Sequence, residues 1–418
     1  MLTLDRAIEL SLQANRKLDN ASLEVQKAGD SLAAARTQYL PSLNFEAFGS
    51  YNLTPQEYTY NRGILGTYTG IGPIPSVDTR VPSQSGVSTT LSASITQPIA
   101  QLYRIGLMVD QHDIQQSMAS QQLRSRRQDL VKQVKQQYYE ILKTQSALQA
   151  SEDSILFYRE LAQLVGRYVK EKVALDYQRL ETEARLAKAE HTARSERNAL
   201  QTQQEKLNNL LGRDVKTPFQ VSTTEIAVGQ PLEQSAAEAS ALAQRPDIHE
   251  AKLKLAQAQT GYKIKRSEYL PDLNLQMRYS RFLNVDFIPE QEWAVGLQLK
   301  WEFYDWGRKS HDLAGKTVGV TQAQNDVRDT EAQVLIEVDS RLRELQEARE
   351  LVKVTQLSVA AAREKLRVTM NLYRQKSALL KDVLQAQSDL TDANSEFQNA
   401  LLSLWTAQAQ LDKALGVG

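Results

Sequence analysis

The side chains that most often carry out catalysis or bind metals are few in this sequence and lie far apart. Cysteine is absent, which excludes thiol nucleophiles, thiolate metal ligands and disulfides. No two histidines stand at i and i+4, the spacing that puts two metal ligands on one helix face, and no cluster of carboxylates accompanies them. The four are His112, His191, His249 and His311. The sequence therefore predicts no enzyme, no metal site and no cofactor.

Two further kinds of binding are disfavoured. Gly66, Gly70 and Gly72 lie close together, but no strand-turn-helix pattern surrounds them, so they do not predict a phosphate-binding loop. Lys plus Arg equals Asp plus Glu, 50 against 50, which leaves no basic field for nucleic acid. No run approaches 18 apolar residues, so no membrane-spanning helix is predicted.

The chain contains two copies of one structural plan. Residues 39–44 return at 269–274, a shift of 230 residues, and residues 207–212 return at 411–416, a shift of 204. The difference between the shifts, 230 − 204 = 26, means that the first copy has one longer segment. Most of it is a Gly/Pro/Tyr-rich loop expected at about 54–84, opposite a loop of only about 284–291.

Each copy contains two segments that alternate apolar and polar residues, the pattern of a β-strand. The predicted strands are about 42–53, 85–100, 272–283 and 292–304. They are long enough to cross a bilayer when tilted. In a membrane, their polar faces would line a wet interior; these faces include Ser88, Thr90, Ser92, Ser94, Gln276, Arg278 and Lys300.

Helical patterns surround each pair of strands. Helices are predicted at about 3–40, capped by Thr3 and broken near Asn15, and at about 236–270. Long helical hairpins follow at about 104–211 and 308–415, whose first arms would be rods of about 100 Å. Heptad-like spacing in both arms indicates coiled-coil packing. The predicted plan is a first repeat at 1–216, a linker at 217–235 and a second repeat at 236–418.

Four strands cannot close a transmembrane barrel, because small barrels need about eight and an open edge in lipid leaves backbone groups unpaired. A membrane location would therefore require a barrel shared between subunits. The alternative from a different class is a soluble coiled-coil scaffold that carries a β-sheet.

The order of these segments resembles the TolC family of outer-membrane efflux proteins. Its usual Pro-Leu-Phe-Asp-Gly-Gly element at the strand-to-helix junction is kept in part: the first copy has Pro98, and the second has Asp305 and Gly307. Residues 372–377 and 381–387 are similar to the family's Tyr-x-x-Gly followed by Asp-Val-Leu-x-Ala. The resemblance covers nearly the whole chain.

This resemblance implies an α+β membrane protein with a tandem structural repeat. It would be a homotrimer whose twelve pooled strands form one outer-membrane barrel, continued by an α-helical tunnel through the periplasm. The trimer would be a passive exit duct, in contact with outer-membrane lipid and supplied by a periplasmic adaptor and an inner-membrane transporter. A duct for type I protein secretion has the same architecture and stays open as an alternative. We expect that a signal peptide has been removed from the mature chain.

The resemblance also implies site residues at the hairpin ends. Asp382 matches an acidic position that forms a ring at the periplasmic aperture, or it is only a first-turn helix carboxylate; Gln178 is its counterpart in the first copy. Gln385 stands where some members have a second acid, and Tyr373 matches a tyrosine that can link hairpins.

The two turns at the hairpin tips are expected to contact the adaptor, by position rather than by motif. Lys172 and Lys376 stand where the family often has a turn glycine, and they either cap carbonyls, face the adaptor's carboxylates or are simply solvated. Each is followed by two residues of the same turn: Val173 and Ala174, and Ser377 and Ala378. At the other end of the molecule, Trp293 and Trp301 are expected at the membrane interfaces.

Overall fold

The structure is a computed structural model that describes residues 1–51, 53, 57–82, 86–222, 233–285 and 289–417. By contacts, the chain divides into two compact units. The first comprises Met1–Lys27, Gln116–Leu255 and Gln322–Gly418, and the second comprises Ala28–Gln115 and Ala256–Thr321. Each unit therefore draws on both sequence repeats. Within the described part of the chain, no helix is long and apolar enough to span a membrane.

The helices follow the repeat. Two short helices precede each pair of long strands, and one long helical hairpin follows it. They are α1 (Leu4–Ala14), α2 (Arg16–Arg36), α3 (Leu102–Lys170), α4 (Asp176–Leu210), α5 (Gln234–Gln244), α6 (Pro246–Ser267), α7 (Arg308–Arg374) and α8 (Leu380–Ala414). A single 3₁₀ turn, Thr37–Tyr39, extends α2. The predicted linker at 217–235 lies partly outside the described residues, which omit 223–232.

Local side chains explain how the first helices begin and end. The Thr3 hydroxyl accepts a hydrogen bond from the Arg6 N–H at 3.3 Å, which caps α1. Asn15 ends α1 and starts α2, because its Oδ1 accepts bonds from the N–H groups of Lys17 and Leu18 at 3.0 and 3.2 Å. In the second repeat, Pro246 occupies the first position of α6, where a missing N–H costs nothing.

The strands are β1 (Ser42–Tyr51), β2 (Glu57–Tyr60), β3 (Thr67–Tyr68), β4 (Gly72–Pro73), β5 (Thr79–Pro82), β6 (Val87–Pro98), β7 (Asp272–Leu283) and β8 (Gln291–Lys300). The four long strands form one antiparallel sheet in the order β1-β6-β7-β8. Both repeats thus contribute one hairpin to a single sheet.

The segment expected to be a loop at 54–84 contains regular pairing. Its described residues form two short antiparallel ladders, β2 with β5 and β3 with β4, which are nested inside the ladder of β1 with β6. These strands were missed because each has only two to four residues among many glycines and prolines. Residues 54–56 and 83–85, at the margins of this segment, lie outside the described residues.

Strand β7 has its predicted bounds, 272–283, whereas the other three long strands are somewhat shorter than the sequence predicts. β8 ends at Lys300 rather than near residue 304, because Lys300 pairs with Asp272 and the next partner in register would be Pro271, which has no N–H. Residues 301–305 are irregular, and Trp306 and Gly307 then take positive φ angles of 58° and 86° before α7. β1 and β6 similarly cover 42–51 and 87–98, against predicted ranges of about 42–53 and 85–100.

The cores of the first compact unit repeat with the sequence. Val134, Tyr138 and Ile141 on α3 are fully buried and pack against Leu207 on α4. The residues 204 positions later form the second core, where Val338, Leu345 and Leu411 are buried and Leu342 packs against them. The Tyr138 hydroxyl also lies 3.0 Å from the Leu2 carbonyl and 2.8 Å from the Ser222 carbonyl, which share its one proton. The predicted heptad spacing thus marks the α3 and α7 faces that pack in these cores.

Candidate functional site

The register of the sheet separates an apolar face from a polar one across all four strands. Residues that pair directly lie on the same face. One row joins Phe45, Ala93, Tyr279 and Trp293, and the neighbouring row joins Glu46, Ser92, Ser280 and Glu292. Other apolar members of the apolar face are Leu43, Ala47, Leu91, Ile95, Leu273, Leu275, Met277, Val295, Leu297 and Leu299. Arg281 and Gln291 interrupt it, in the row of Ala47 and Leu91.

The apolar face is exposed in the single chain. Leu43 and Phe45 on β1 are 75% and 73% exposed, and Val295 and Leu297 on β8 are 70% and 67% exposed. A soluble sheet normally buries such a face. This face therefore requires lipid or another protein surface against it.

Two tryptophans stand near opposite ends of the apolar face. Trp293 near the start of β8 is 66% exposed and packs against Tyr279 with ring centroids 4.6 Å apart. Trp301, just after β8, is 55% exposed, and its Nε1 donates a bond to the Tyr269 carbonyl at 3.3 Å. Eight residues of strand separate them, about 26 Å at 3.3 Å per residue. This is close to the height of the apolar band of an outer-membrane barrel, about 25 Å.

The polar face has its own hydrogen bonds. The Ser50 and Ser88 hydroxyls are 2.9 Å apart, and Gln276 Nε2 donates to Gln298 Oε1 at 3.2 Å. Phe48 and Phe282 both pair with Thr90 and so interrupt this face. The bonded hydroxyls and amides make this the face suited to water.

The sheet has two open edges, because β1 and β8 each pair on one side only within the described chain. With strictly antiparallel neighbours, β1 and β8 run in opposite directions. The β8 of one copy can therefore pair antiparallel with the β1 of another copy.

The two hairpin tips share one backbone geometry. α3 ends in a Schellman motif in which the Lys172 N–H bonds the Val169 carbonyl at 3.0 Å and the Val173 N–H bonds the Tyr168 carbonyl at 2.9 Å. α7 ends with the same pair of bonds one repeat later. Lys172 and Lys376 have positive φ angles of 58° and 62°, the conformation that glycine adopts most easily. The side chains of both lysines are exposed.

After each turn, the next helix begins with an equivalent cap. Gln178 Oε1 accepts a bond from the Leu175 N–H at 3.1 Å, and Asp382 Oδ2 accepts one from the Leu379 N–H at 3.1 Å. In return, the N–H groups of Gln178 and Asp382 each bond the carbonyl of the capped leucine at 3.0 Å. Asp382 is thus a first-turn helix carboxylate with one oxygen engaged. Its Oδ1 makes no bond to any described residue.

The two hairpins of one chain meet near their tips. The Tyr373 ring is buried and lies 5.8 Å from the Tyr168 ring between centroids. Burial, followed by the nearby Tyr168, raises the pKa of the Tyr373 phenol. Lys376 Nζ lies 5.5 Å from the Tyr168 ring centroid, and the Tyr168 hydroxyl bonds the Arg374 carbonyl at 3.3 Å. Tyr373 therefore packs between hairpins of the same chain.

Gln385 lies one turn beyond Asp382 and is exposed. Its Nε2 donates a bond to Asp389 Oδ1 at 2.7 Å, and Asp389 also pairs with Lys365 Nζ at 2.7 Å. The bonds from Lys365 and then Gln385 lower the pKa of the Asp389 carboxyl. Asp389 is thus neutralised by an ion pair, whereas no described ion pair involves Asp382.

Sequence reasoning missed two side chains at the tips. Leu175 and Leu379 occupy N-cap positions, where Ser, Thr, Asp or Asn are preferred, and they are 66% and 59% exposed. They are separated by the repeat shift of 204 residues. An apolar residue at the same capping position in both repeats is a signal that the sequence alone contained. These leucines give each tip an apolar surface.

The histidines do not come together. His249 Nε2 lies 3.0 Å from the Ala243 carbonyl, and the other three are exposed. Among the residues that the structure describes, no group of three or more His, Cys, Asp or Glu side chains could hold a metal ion.

The family is decided by a match that covers both repeats. A family model described as outer membrane efflux protein matches residues 7–213 and again residues 239–417. The chain belongs to the outer membrane efflux protein family. Members of this family are channel proteins rather than enzymes, and the protein is located in the outer membrane of a Gram-negative bacterium. The two matches correspond to the two repeats found in the sequence.

Individual relatives agree with membership of the outer membrane efflux protein family. The chain is 24% identical over 405 residues to the protease secretion protein PrtF of Dickeya chrysanthemi, covering 93% of this chain and 83% of that protein. Its fold is similar to that of CusC, with a TM-score of 0.81, 19% identity, and coverage of 99% of this chain and 92% of that chain. It is also similar to VceC from Vibrio cholerae, with a TM-score of 0.80, 16% identity, and coverage of 99% and 96%.

Proposed function

We propose that the chain is one subunit of a homotrimeric exit duct through which small toxic molecules, such as drugs, leave the cell passively. A periplasmic adaptor and an inner-membrane transporter would deliver the molecules and supply the energy. The observation that carries this proposal is the four-stranded sheet, which has one exposed apolar face, one polar face and two open edges.

The open edges argue for several copies. In lipid, every unpaired N–H and C=O costs free energy, so the sheet must close on itself. Three copies give twelve strands, above the smallest transmembrane barrels of about eight. Joining β8 of each copy to β1 of the next keeps every pair antiparallel. The apolar face then contacts lipid, and the polar face lines the channel.

Cysteine cross-linking tests this closure, because the chain has no native cysteine. Phe45→Cys on β1 would be combined in turn with Val295→Cys, Leu297→Cys and Leu299→Cys on β8. On oxidation in outer membranes, we expect at least one combination to give a ladder up to a closed product of three 47.1 kDa chains. The pair Phe45→Cys with Ala93→Cys, which are cross-strand neighbours in one chain, is the control and should stay at single-chain mass. If all β1–β8 combinations also stay there, the shared barrel is wrong.

The similarity to PrtF favours a second candidate, a duct for protein secretion. The two candidates differ in what a deletion strain retains. For the efflux duct, deletion of the gene should raise the accumulation of a fluorescent amphiphile and lower the inhibitory concentration of drugs. Unchanged accumulation, with loss of a protein from the culture medium, would reject efflux in favour of secretion.

We also propose that Asp382 of the three copies forms the acidic ring of the periplasmic aperture, with Gln385 and Gln178 nearby and Tyr373 as a link between hairpins. Support comes from the Asp382 side chain, which is exposed, has no described ion pair and offers a free Oδ1 at the tip. Three carboxylates near one axis attract cations. The turns at 172–174 and 376–378, with Leu175 and Leu379, provide the proposed adaptor contact.

The first repeat supplies the best substitution for testing the ring. Gln178 makes the same capping bond without a charge, so Asp382→Gln should keep the cap and remove only the carboxylate. We expect unchanged thermal stability and a lower preference for cations over anions in planar bilayers. Gln178→Ala is the matched control; it should lose the capping bond, lower the thermal stability and keep the ion preference. An unaltered ion preference in Asp382→Gln would reject Asp382 as a ring residue.

A further inference from the structure

A groove of about 670 Å³ lies at the end of the sheet where the strands join the helices. It is bounded by the first turn of α3, the last turns of α6, the residues just before β7 and the start of α7. Its lining residues are Tyr103, Lys263, Arg266, Ser267, Tyr269, Leu270 and Leu313. The groove therefore combines aromatic, apolar and basic side chains.

Two cations in this groove have no side-chain partner among the described residues. The side chains of Lys263 and Arg266 are exposed and make no hydrogen bond or ion pair to any described residue. Lys265, between them, is different because it pairs with Glu268 and Asp312 at 2.9 Å each. Positions three apart on a helix bring Cβ atoms within about 5–6 Å. Lys263 and Arg266 can thus reach one anionic group together.

The groove opens on the apolar side of the sheet. Gln101, the residue before α3, donates from Nε2 to Asn274 Oδ1 at 3.2 Å, and Arg104 on α3 pairs with Asp272; both acceptors belong to the polar face. Tyr103 is about 160° from Gln101 and about 100° from Arg104 around the helix, so it points away from that face. The Trp301 indole, which lies just beyond the apolar-face residue Leu299, donates a bond to the carbonyl of the lining residue Tyr269.

The position of the groove matches that of a lipid headgroup. Trp301 marks the helical end of the apolar band, and aromatic rings of this kind sit at the headgroup level of a bilayer. Leu270 and Tyr103, which line the groove, are 58% and 59% exposed. Basic groups beside apolar surface at this level bind phosphate headgroups in other membrane proteins.

We propose that this groove binds a phospholipid of the periplasmic leaflet. Lys263 and Arg266 hold the phosphate, Tyr103 and Tyr269 flank the headgroup, and the acyl chains run along the apolar face of the sheet. The site requires the sheet to lie in the bilayer, as in the proposed duct, but it does not depend on what the duct carries.

The test is titration of phosphatidylglycerol into the delipidated, detergent-solubilised protein, read by native mass spectrometry as lipid bound per assembly. We expect Lys263→Gln with Arg266→Gln to weaken lipid binding by about 30-fold, roughly fivefold for each cation. Lys263→Arg should retain binding. The matched control is Arg343→Gln with Lys353→Gln on α7, which removes two exposed charges that have no described partner and should leave binding unchanged.

Other results would overturn the lipid site. Equal affinity of the double variant and its control rejects recognition by the two cations. If a diacylglycerol, which lacks the phosphate, binds as tightly as phosphatidylglycerol, the groove does not recognise the headgroup. If inorganic phosphate displaces all of the bound lipid, the groove is a site for free anions. If the double variant loses the trimer mass and the control variant keeps it, the groove is a contact between copies. The duct proposal fails on a separate observation: a wild-type protein that forms no trimer and gives no conductance in bilayers.

Discussion

Two glycines fix the ends of the second hairpin helices, and their replacement by alanine should destabilise the fold unequally. Gly212 follows α4 and Gly416 follows α8, with φ angles of +70° and +77°. A Cβ on Gly212 would lie 2.0 Å from the Ala14 carbonyl oxygen at the end of α1. A Cβ on Gly416 would lie 2.9 Å from the Gln244 carbonyl carbon at the end of α5. The same contact is therefore much tighter in the first repeat.

The expected magnitudes follow from these two effects. A Cβ at positive φ costs about 1–2 kcal/mol at either position. The backbone overlap at Gly212 adds about 1–3 kcal/mol of overpacking, for a total of about 2–5 kcal/mol. The overpacking cost at Gly416 is smaller, because the added Cβ lies farther from the neighbouring backbone. An unfolding entropy of about 2.1 cal/mol/K per residue gives about 0.9 kcal/mol/K for this chain. Gly212→Ala should thus lower Tm by about 2–6 °C and Gly416→Ala by about 1–3 °C.

Thermal unfolding followed by circular dichroism on the purified protein measures these shifts. Gly166→Ala on α3 and Gly261→Ala on α6 are the controls, because an added Cβ meets nothing within 4 Å there. In a helix interior, alanine is favoured over glycine by about 0.5–1 kcal/mol, so both controls should raise Tm slightly. The reasoning is refuted if Gly212→Ala melts at the same temperature as the controls.

Three further substitutions concern strain and pH. Lys172→Gly and Lys376→Gly should each stabilise the fold by about 1 kcal/mol, because glycine removes the cost of a side chain at positive φ; a lower Tm in both would contradict this. Asp247→Asn should lower Tm at neutral pH, and the difference from the wild type should shrink in acid. Burial raises the pKa of Asp247, but the bonds from Arg245 outweigh it and leave the pKa below its usual value. Its stabilisation is therefore present above the unfolded pKa of about 4 and is lost as pH falls through the folded pKa. A Tm difference that does not change with pH would show that the ion pair is not responsible.

The fold was largely predictable because its signals are periodic and occur twice. Alternation over ten or more residues indicated the four long strands, and the heptad spacing that includes Val134, Tyr138 and Ile141 marked the packed face of α3. Pairing between strands of different repeats, β6 with β7, was not predictable, because it joins residues far apart in sequence. Strand ends were also missed where a partner such as Pro271 decides them.

The candidate sites were less predictable. Asp382 and the lysines of the tip turns were found through family resemblance, and the structure adds that Asp382 caps a helix and that both lysines have positive φ. The groove with Lys263 and Arg266 left no signal, because its residues come from three helices and a turn. The repeat of Leu175 at Leu379 could have been read from the sequence as an exception to capping preference.

Among the described residues, the turns at Lys172, Gly212, Lys376 and Gly416 share one Schellman geometry, and the two with glycine lie against other backbone. Gly212 and Gly416 lie against other backbone, so selection can scarcely replace them. Lys172 and Lys376 adopt the same φ with exposed side chains, so other residue types can be accommodated there at a modest conformational cost. The tips can therefore diverge in sequence while their backbone stays fixed. If the tips contact the adaptor as proposed, that surface is placed where the fold resists sequence change least.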